Sequence, residues 1–188
     1  MKKYKTIIAD PPWKYGNSFK NCDTDYGQIH LHYPDMGICD IAALPVGEYA
    51  DTDCVLLLWV TFPMLKDAFY ILASWKFKYV TGFPWIKAKD VSTDLWGKLK
   101  FRIRYGIGYW VAGCSELVLI SRRGNPRLPN RDFCGLLSPN VTHSKKPNSL
   151  YEYAESLEGP YLELFARKER PGWDSFGNEI ENSIALSN

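Results

Sequence analysis

The sequence predicts an α/β fold, a largely buried sheet with helices on both faces, and two observations carry that expectation. Two short continuous apolar runs, 6–9 and 54–60, have strand length and no polar side, as a strand covered on both faces must. Segments with apolar residues at helical spacing alternate with such runs, the order produced by crossover units around a sheet.

Taken in order, residues 6–9 form a buried strand that ends at Asp10. From Lys14 to Gly37 the chain is rich in Gly, Asn, Asp and Tyr and too long for a plain connector, which marks a functional loop. Residues 54–60, bounded by Asp53 and Pro63, make a central strand. Leu65, Ala68, Phe69 and Leu72 recur at i, i+3, i+4 and i+7 and predict an amphipathic helix over 64–76. Strand character returns at 79–87. The stretch 89–113 is polar and basic, with Trp96, Tyr105, Tyr109 and Trp110 interleaved, and reads as a second irregular loop at the active site. Residues 116–121 are another strand. Pro147, Asn148 and Ser149 open a helix with Leu150, Tyr153, Ala154 and Leu157 on one face, closed by Gly159 and Pro160. Residues 161–166 form the last strand, and the tail after Glu181 is polar enough to fray.

A chain of 188 residues, 46% apolar and 23% charged, suits one globular domain over 1–188. The formal charge of +2 is too small to mark a dedicated polyanion binder, so nucleic acid is permitted rather than required. Local basic groups exist, Lys98, Lys100, Arg102 and Arg104 among them, although such a run is more often a solvated face than a ligand site. Five Cys without a CxxC pair indicate neither a metal site nor a disulfide framework, and they point to a reducing cytoplasm. No export signal and no membrane-length apolar stretch is visible. Aromatic content of 15%, including seven Trp and twelve Tyr, exceeds the need of a small core and leaves rings to stack on planar ligands.

Asp10, Pro11, Pro12 and Trp13 follow directly on the first strand, and the carboxyl ends of strands are where open α/β sheets bind ligands. Two prolines fix φ twice and remove two donors, so this edge is rigid and accepts hydrogen bonds only. An amino group is its natural guest. The carboxylate of Asp10 and the carbonyl of Pro11 can take both protons of an adenine amino group and leave the nitrogen lone pair aimed at an electrophilic methyl. Trp13 supplies a flat face for a base that has left its stack. The alternative is a strand end with a Pro-Pro turn and a surface Trp.

DPPW, with HYPDM (32–36), the LLLWV strand, GYW (108–110), HSKKP (143–147) and ELFARKERPGWDSFGNE (163–179), closely resembles the MT-A70 family of DPPW-type adenine methyltransferases, over nearly the whole chain and in the same order. The resemblance implies a Rossmann-like methyltransferase sheet in permuted order, with the catalytic tetrapeptide preceding the cofactor-binding segment, and S-adenosylmethionine as cofactor. Asp10 would also lie by the cofactor's ammonium, and Lys146 would pair with its carboxylate. Glu163 joins the cofactor set, and Arg167, Asn178 and Glu179 match ribose-binding groups. A carboxylate such as Glu179 suits a ribose diol on its own chemistry. Without the resemblance, Lys146 reads as a solvated lysine at a helix start and Glu163 as a strand-face carboxylate.

Tyr33, Trp85, Glu116 and Lys146 match positions near the acceptor base. Their other readings are a loop tyrosine, a core tryptophan, a strand-start glutamate and the solvated lysine. Two departures from the messenger RNA enzyme of the family are a longer segment between DPPW and Tyr33, and Arg170 in place of a ribose-binding asparagine. The expected substrate is nucleic acid, DNA before RNA, and the expected setting a bacterial or phage-encoded cytoplasmic enzyme with no metal and no membrane. A homodimer, a partner subunit or a catalytically silent binding half are the alternatives the family offers.

Overall fold

A computed structural model of the chain describes residues 2–14, 36–106, 110–127, 133–139 and 146–186. In chain order its elements are β1 (Tyr4–Ala9), α1 (Ile38–Ala43), α2 (Val46–Tyr49), β2 (Ala50–Val60), α3 (Leu65–Ser74), β3 (Lys78–Thr93) and β4 (Leu99–Ile103). They continue with β5 (Ser115–Arg123), β6 (Leu136–Pro139), α4 (Asn148–Glu155), β7 (Tyr161–Leu164) and β8 (Trp173–Phe176). The strands form one Rossmann-like sheet in the order β4-β3-β5-β2-β1-β7-β8, with β6 alongside β3. β1 is parallel to both β2 and β7, and β5 is antiparallel to β2 and β3.

The apolar run in β2 has no polar side because both its faces are covered. Cys54, Leu56, Leu58 and Val60 enter one core cluster, beneath α1, α2 and α3. Val55, Leu57 and Trp59 enter the other, beneath α4. Strand geometry sends alternate side chains to opposite faces, so each residue of the run fills a core, at about 1.5–3 kcal/mol per large side chain. β1 divides in the same way, Ile7 and Ala9 to the first cluster and Ile8 to the second.

α3 buries Ala68, Ile71 and Leu72. Phe69, expected on that face, instead meets the Tyr79 ring edge-on at 5.2 Å. The helix stops at Trp75, whose indole donates to the Ile41 carbonyl at 3.0 Å, and Lys76 turns with φ 63°. α4 buries Leu150, Tyr151 and Ala154, so its inner face is wider than the spacing alone indicated.

Three expectations are corrected. Residues 89–113 are not one irregular loop: β3 runs on to Thr93 and returns as β4 in an antiparallel hairpin. Leu99, Phe101 and Ile103 alternate with Lys100 and Arg102, a strand period that the density of charge disguised. The tail does not fray through its described part, for the Ser183 amide donates to Ser175 O at 2.8 Å and Ile184 and Leu186 pack on the core. The last expected strand ends two residues early, because Phe165 adopts φ 62° and turns the chain out of the sheet. Most of the long segment from Lys14 to Gly37 lies outside the described residues.

Candidate active site

The chain leaves β1 toward α1 to α3 and β2 on one side, and reaches β7 and β8 on the other only after the rest of the sheet is built. That reversal makes the carboxyl end of β1 the switch point at which ligands bind. Asp10 stands there, its amide 3.4 Å from Leu164 O. The Pro11 carbonyl accepts from the Trp13 amide at 2.9 Å and the Pro12 carbonyl from Met36 at 3.1 Å. Each carbonyl oxygen keeps a second lone pair. Trp13 is corrected: it is only 7% exposed, sits in the core, and donates from Nε1 to Trp59 O at 3.2 Å. Its ring anchors the tetrapeptide, and the face expected to stack a base is covered.

Beside Asp10 lies a row of alternating charge. Lys146 Nζ is 3.2 Å from Asp10 Oδ1 and 2.9 Å from Glu116 Oε2, and Glu116 Oε1 accepts from Lys87. Lys146 is therefore no solvated lysine: its side chain is 15% exposed and its ammonium lies 4.5 Å from the centre of the Trp59 ring. The row assembles because α4 starts over this face and the β3–β5 register sets Trp85 opposite Glu116, with Lys87 two residues along the same face. Burial opposes the charge on Lys146, but Asp10 and Glu116 overcome it and raise its pKa above the ordinary lysine value. Burial also resists ionisation of Glu116, and there the two lysines prevail and lower the pKa. At Asp10 burial, aided by Glu116, outweighs Lys146 and raises it.

Glu163, on β7, accepts from the Tyr151 hydroxyl at 2.6 Å, and burial raises its pKa against that hydrogen bond and the nearby Arg170. Arg170 lies 3.6 Å over the Tyr151 ring and donates to Asn148 Oδ1 at 3.3 Å. On the opposite side of Asp10 is a cleft of about 240 Å³, lined among others by Pro12, Phe165, Arg167, Asn178 and Glu179. It exists because the turns after β7 and β8 touch. The Ala166 amide donates to Phe176 O at 2.9 Å, and a Cβ on Gly177 would lie 1.9 Å from Ala166 O, so only glycine fits there.

Asp10, Arg167, Asn178 and Glu179 thus share one cleft, with Lys146 in contact through Asp10. Trp85 is a core tryptophan, 2% exposed and edge-on to Trp59 at 5.5 Å. Tyr33, the rest of HYPDM before Met36, Gly108, Tyr109 and residues 143–145 lie outside the described residues. Lys87 and Tyr151 were not anticipated. Lys87 was signalled only by its place two residues after Trp85, and Tyr151 stood within a helix whose inner face was drawn too narrowly. Among the described residues no cluster suited to a metal ion occurs, and no helix is long and apolar enough to cross a membrane.

Comparison with known proteins adds the following. The family model for MT-A70 matches residues 4–179. A type II methyltransferase, M.MunI, from Mycoplasma sp is 28% identical, covering 98% of this chain and 82% of its own. The human N(6)-adenine-specific methyltransferase METTL4 is 28% identical over 95% of this chain and 38% of its own. An N(6)-adenosine-methyltransferase MT-A70-like protein of Drosophila melanogaster is also 28% identical, over 96% of this chain and 28% of its own. The chain therefore spans most of the Mycoplasma relative and well under half of the two animal ones.

Proposed function

The chain belongs to the MT-A70 family of methyltransferases, and from that premise we propose that it transfers a methyl group from S-adenosylmethionine to the exocyclic amino nitrogen of adenine in DNA. The observation that carries the reading is the Asp10–Lys146 pair at the switch point of the sheet, with Asp10 lining the cleft. DNA is favoured because the Mycoplasma relative, of which this chain covers 82%, is named a type II methyltransferase. RNA is the second reading, supported by a relative from Cryphonectria parasitica named an RNA methyltransferase.

The donor set of the cleft fits the cofactor. A carboxylate and an amide, Glu179 and Asn178, suit a ribose diol, and Arg167 adds a cation on the same wall. Two of the three ammonium donors of Lys146 face Asp10 and Glu116, and the third suits a methionine carboxylate. When bound, the cofactor supplies an electrophilic methyl carbon on a sulfonium sulfur.

The chain's own part is positioning and electrostatics. Asp10 accepts one proton of the amino group in a hydrogen bond, and a carbonyl of the proline edge accepts the other. These bonds hold the nitrogen with its lone pair directed away from the edge. Lys146 offsets part of the effect of burial on Asp10 and so favours the carboxylate, the form that accepts hydrogen bonds. As the methyl carbon bonded to nitrogen, its bond to sulfur would break, the donor would leave as a neutral thioether and the positive charge would pass to the nitrogen, where the Asp10 carboxylate is placed to stabilise it. The amino proton then leaves to solvent.

The test is transfer of labelled methyl to matched DNA and RNA oligonucleotides. Transfer to neither, with the cofactor demonstrably bound, refutes both substrates, and transfer to RNA alone replaces the first by the second. Asp10→Ala should abolish transfer, by at least about 100-fold, while circular dichroism stays unchanged.

A further inference from the structure

The β3–β4 hairpin leaves the sheet beside the catalytic row and has no role in the reaction described above. Past Ala88, β3 pairs only with β4 among the described residues. In that ladder Lys89 stands directly opposite Arg102, and beyond a bulge Ser92 stands opposite Lys100. The Arg104 amide donates to Lys87 O at 2.8 Å, which sets Arg104 opposite Lys87. Residues opposite one another, and residues two apart on a strand, share a face. Lys87, Lys89, Lys100, Arg102 and Arg104 therefore lie along one face, about 7 Å apart along each strand. The row begins at Lys87, which touches Glu116 and through it Lys146 and Asp10.

We propose that this hairpin holds the phosphate backbone of a polynucleotide substrate through Lys89, Lys100 and Arg102, with Trp96 at its tip as a stacking surface for a base. The proposal rests on the adenine methyltransferase reading and names the element that grips the polymer. With a formal charge of only +2 the chain as a whole attracts a polyanion weakly, so attraction must be local, and this face concentrates it next to the reacting edge. Lys100 lies 3.7 Å from Asp94 Oδ2 and its side chain is 64% exposed, so its ammonium can turn to a phosphate. The tip is built to hold its shape: Asp94 Oδ1 accepts from the amides of Trp96 and Lys98 at 3.0 and 2.9 Å, and Gly97 takes φ 78°. Trp96 is 87% exposed there. Aromatic groups interleaved with cations are the usual surface for a single strand. The other face of the hairpin carries the exposed Leu99 and Phe101, so a second copy of the chain is the competing occupant.

The experiment measures binding of a fluorescent oligothymidylate containing one adenine, in DNA and RNA forms, across a salt series with S-adenosylhomocysteine present. For Lys89→Ala/Lys100→Ala/Arg102→Ala, affinity at low salt should fall at least about tenfold. The slope of log affinity against log salt should become shallower by about 2, near 0.7 per lost phosphate contact. S-adenosylhomocysteine affinity, by calorimetry, should not change. Trp96→Ala should weaken binding about fivefold or more with the slope intact, and Lys66→Ala/Lys78→Ala should leave both intact. An unchanged slope in the triple variant overturns the proposal, as does an equal change in the Lys66/Lys78 variant. A dimer that these hairpin changes dissociate, with the slope unmoved, overturns it in favour of a contact between copies. Methyl transfer by the wild type with binding indifferent to the hairpin refutes this inference alone. Hairpin-dependent binding without transfer to any adenine refutes the methyltransferase reading alone.

Discussion

Replacing Lys146 by methionine tests the charge row most directly. Methionine keeps an unbranched chain against the Trp59 ring but removes the ammonium that faces Asp10 and Glu116. Glu116 retains Lys87, so the orphan is Asp10, whose side chain is 22% exposed. Breaking such a pair by removing one partner costs about 3–5 kcal/mol. Proton uptake sets a ceiling, since neutralising a carboxyl with an ordinary pKa of about 3.9 at pH 7 costs about 4 kcal/mol. The variant should therefore be about 3–4 kcal/mol less stable at pH 7. With Lys146 gone, burial raises the folded pKa of Asp10 further, so the folded variant binds a proton more readily than the unfolded chain. Its stability then rises as pH falls, and the deficit against wild type should shrink between pH 7 and 5. Urea denaturation followed by tryptophan fluorescence at pH 7, 6 and 5 reads this directly. A deficit below about 1 kcal/mol at pH 7, or one that does not shrink at pH 5, would refute the reasoning. Lys146→Arg, which restores the charge, should recover most of the loss.

Three further outcomes follow from the same geometry. Trp13→Ala should cost about 3–5 kcal/mol in urea denaturation, and Trp13→Phe should restore most of that stability and the methyl transfer with it, since the ring packs rather than stacks. Loss of transfer in a fully stable Trp13→Phe chain would return Trp13 to the base. Gly177→Ala should drive apart the turns after β7 and β8 and weaken S-adenosylmethionine binding at least about tenfold by calorimetry, with unchanged affinity showing that those turns do not form the site. Burial raises the pKa of Glu163 above its unfolded value, so its favourable contribution is complete below about pH 4 and is lost as pH rises through the raised value. Glu163→Gln should remove that slope and narrow the stability gap between pH 4 and 7, whereas an identical pH profile would place Glu163 in water.

The sequence was most legible where one element determined its own environment. β2 has strand length and no polar side, which demands cover on both faces, and it has it. DPPW, directly after a buried strand, was legible as the end of β1, where Asp10 and Pro12 line the cleft. The row Lys87, Glu116, Lys146, Asp10 was only partly legible, because it depends on the antiparallel β3–β5 register and on where α4 begins, and neither is local information. Lys146 took its meaning from the resemblance alone, since nothing near it in the sequence distinguishes it from a surface lysine. Trp13 was misjudged because exposure is a tertiary property: the same tetrapeptide presents an indole to solvent or to Trp59 depending on the neighbouring strand. In the hairpin the strand period was present, but a loop-like composition outweighed it. α1, α2, β6 and β8 are too short for periodicity to register and exist because longer neighbours template them.

The contact between Ala166 and Gly177 bears on turnover. Under the proposed function, two loops fused at that point would present a preset surface to the nucleoside portion of the donor, so little freedom would be lost when it docked. The methyl donor and its spent thioether share that portion and differ by one unit of charge at sulfur. On that reading a wall that recognised only the common half would retain both alike, and the demethylated product would compete with fresh donor unless the acid at the end of β1 told the two apart.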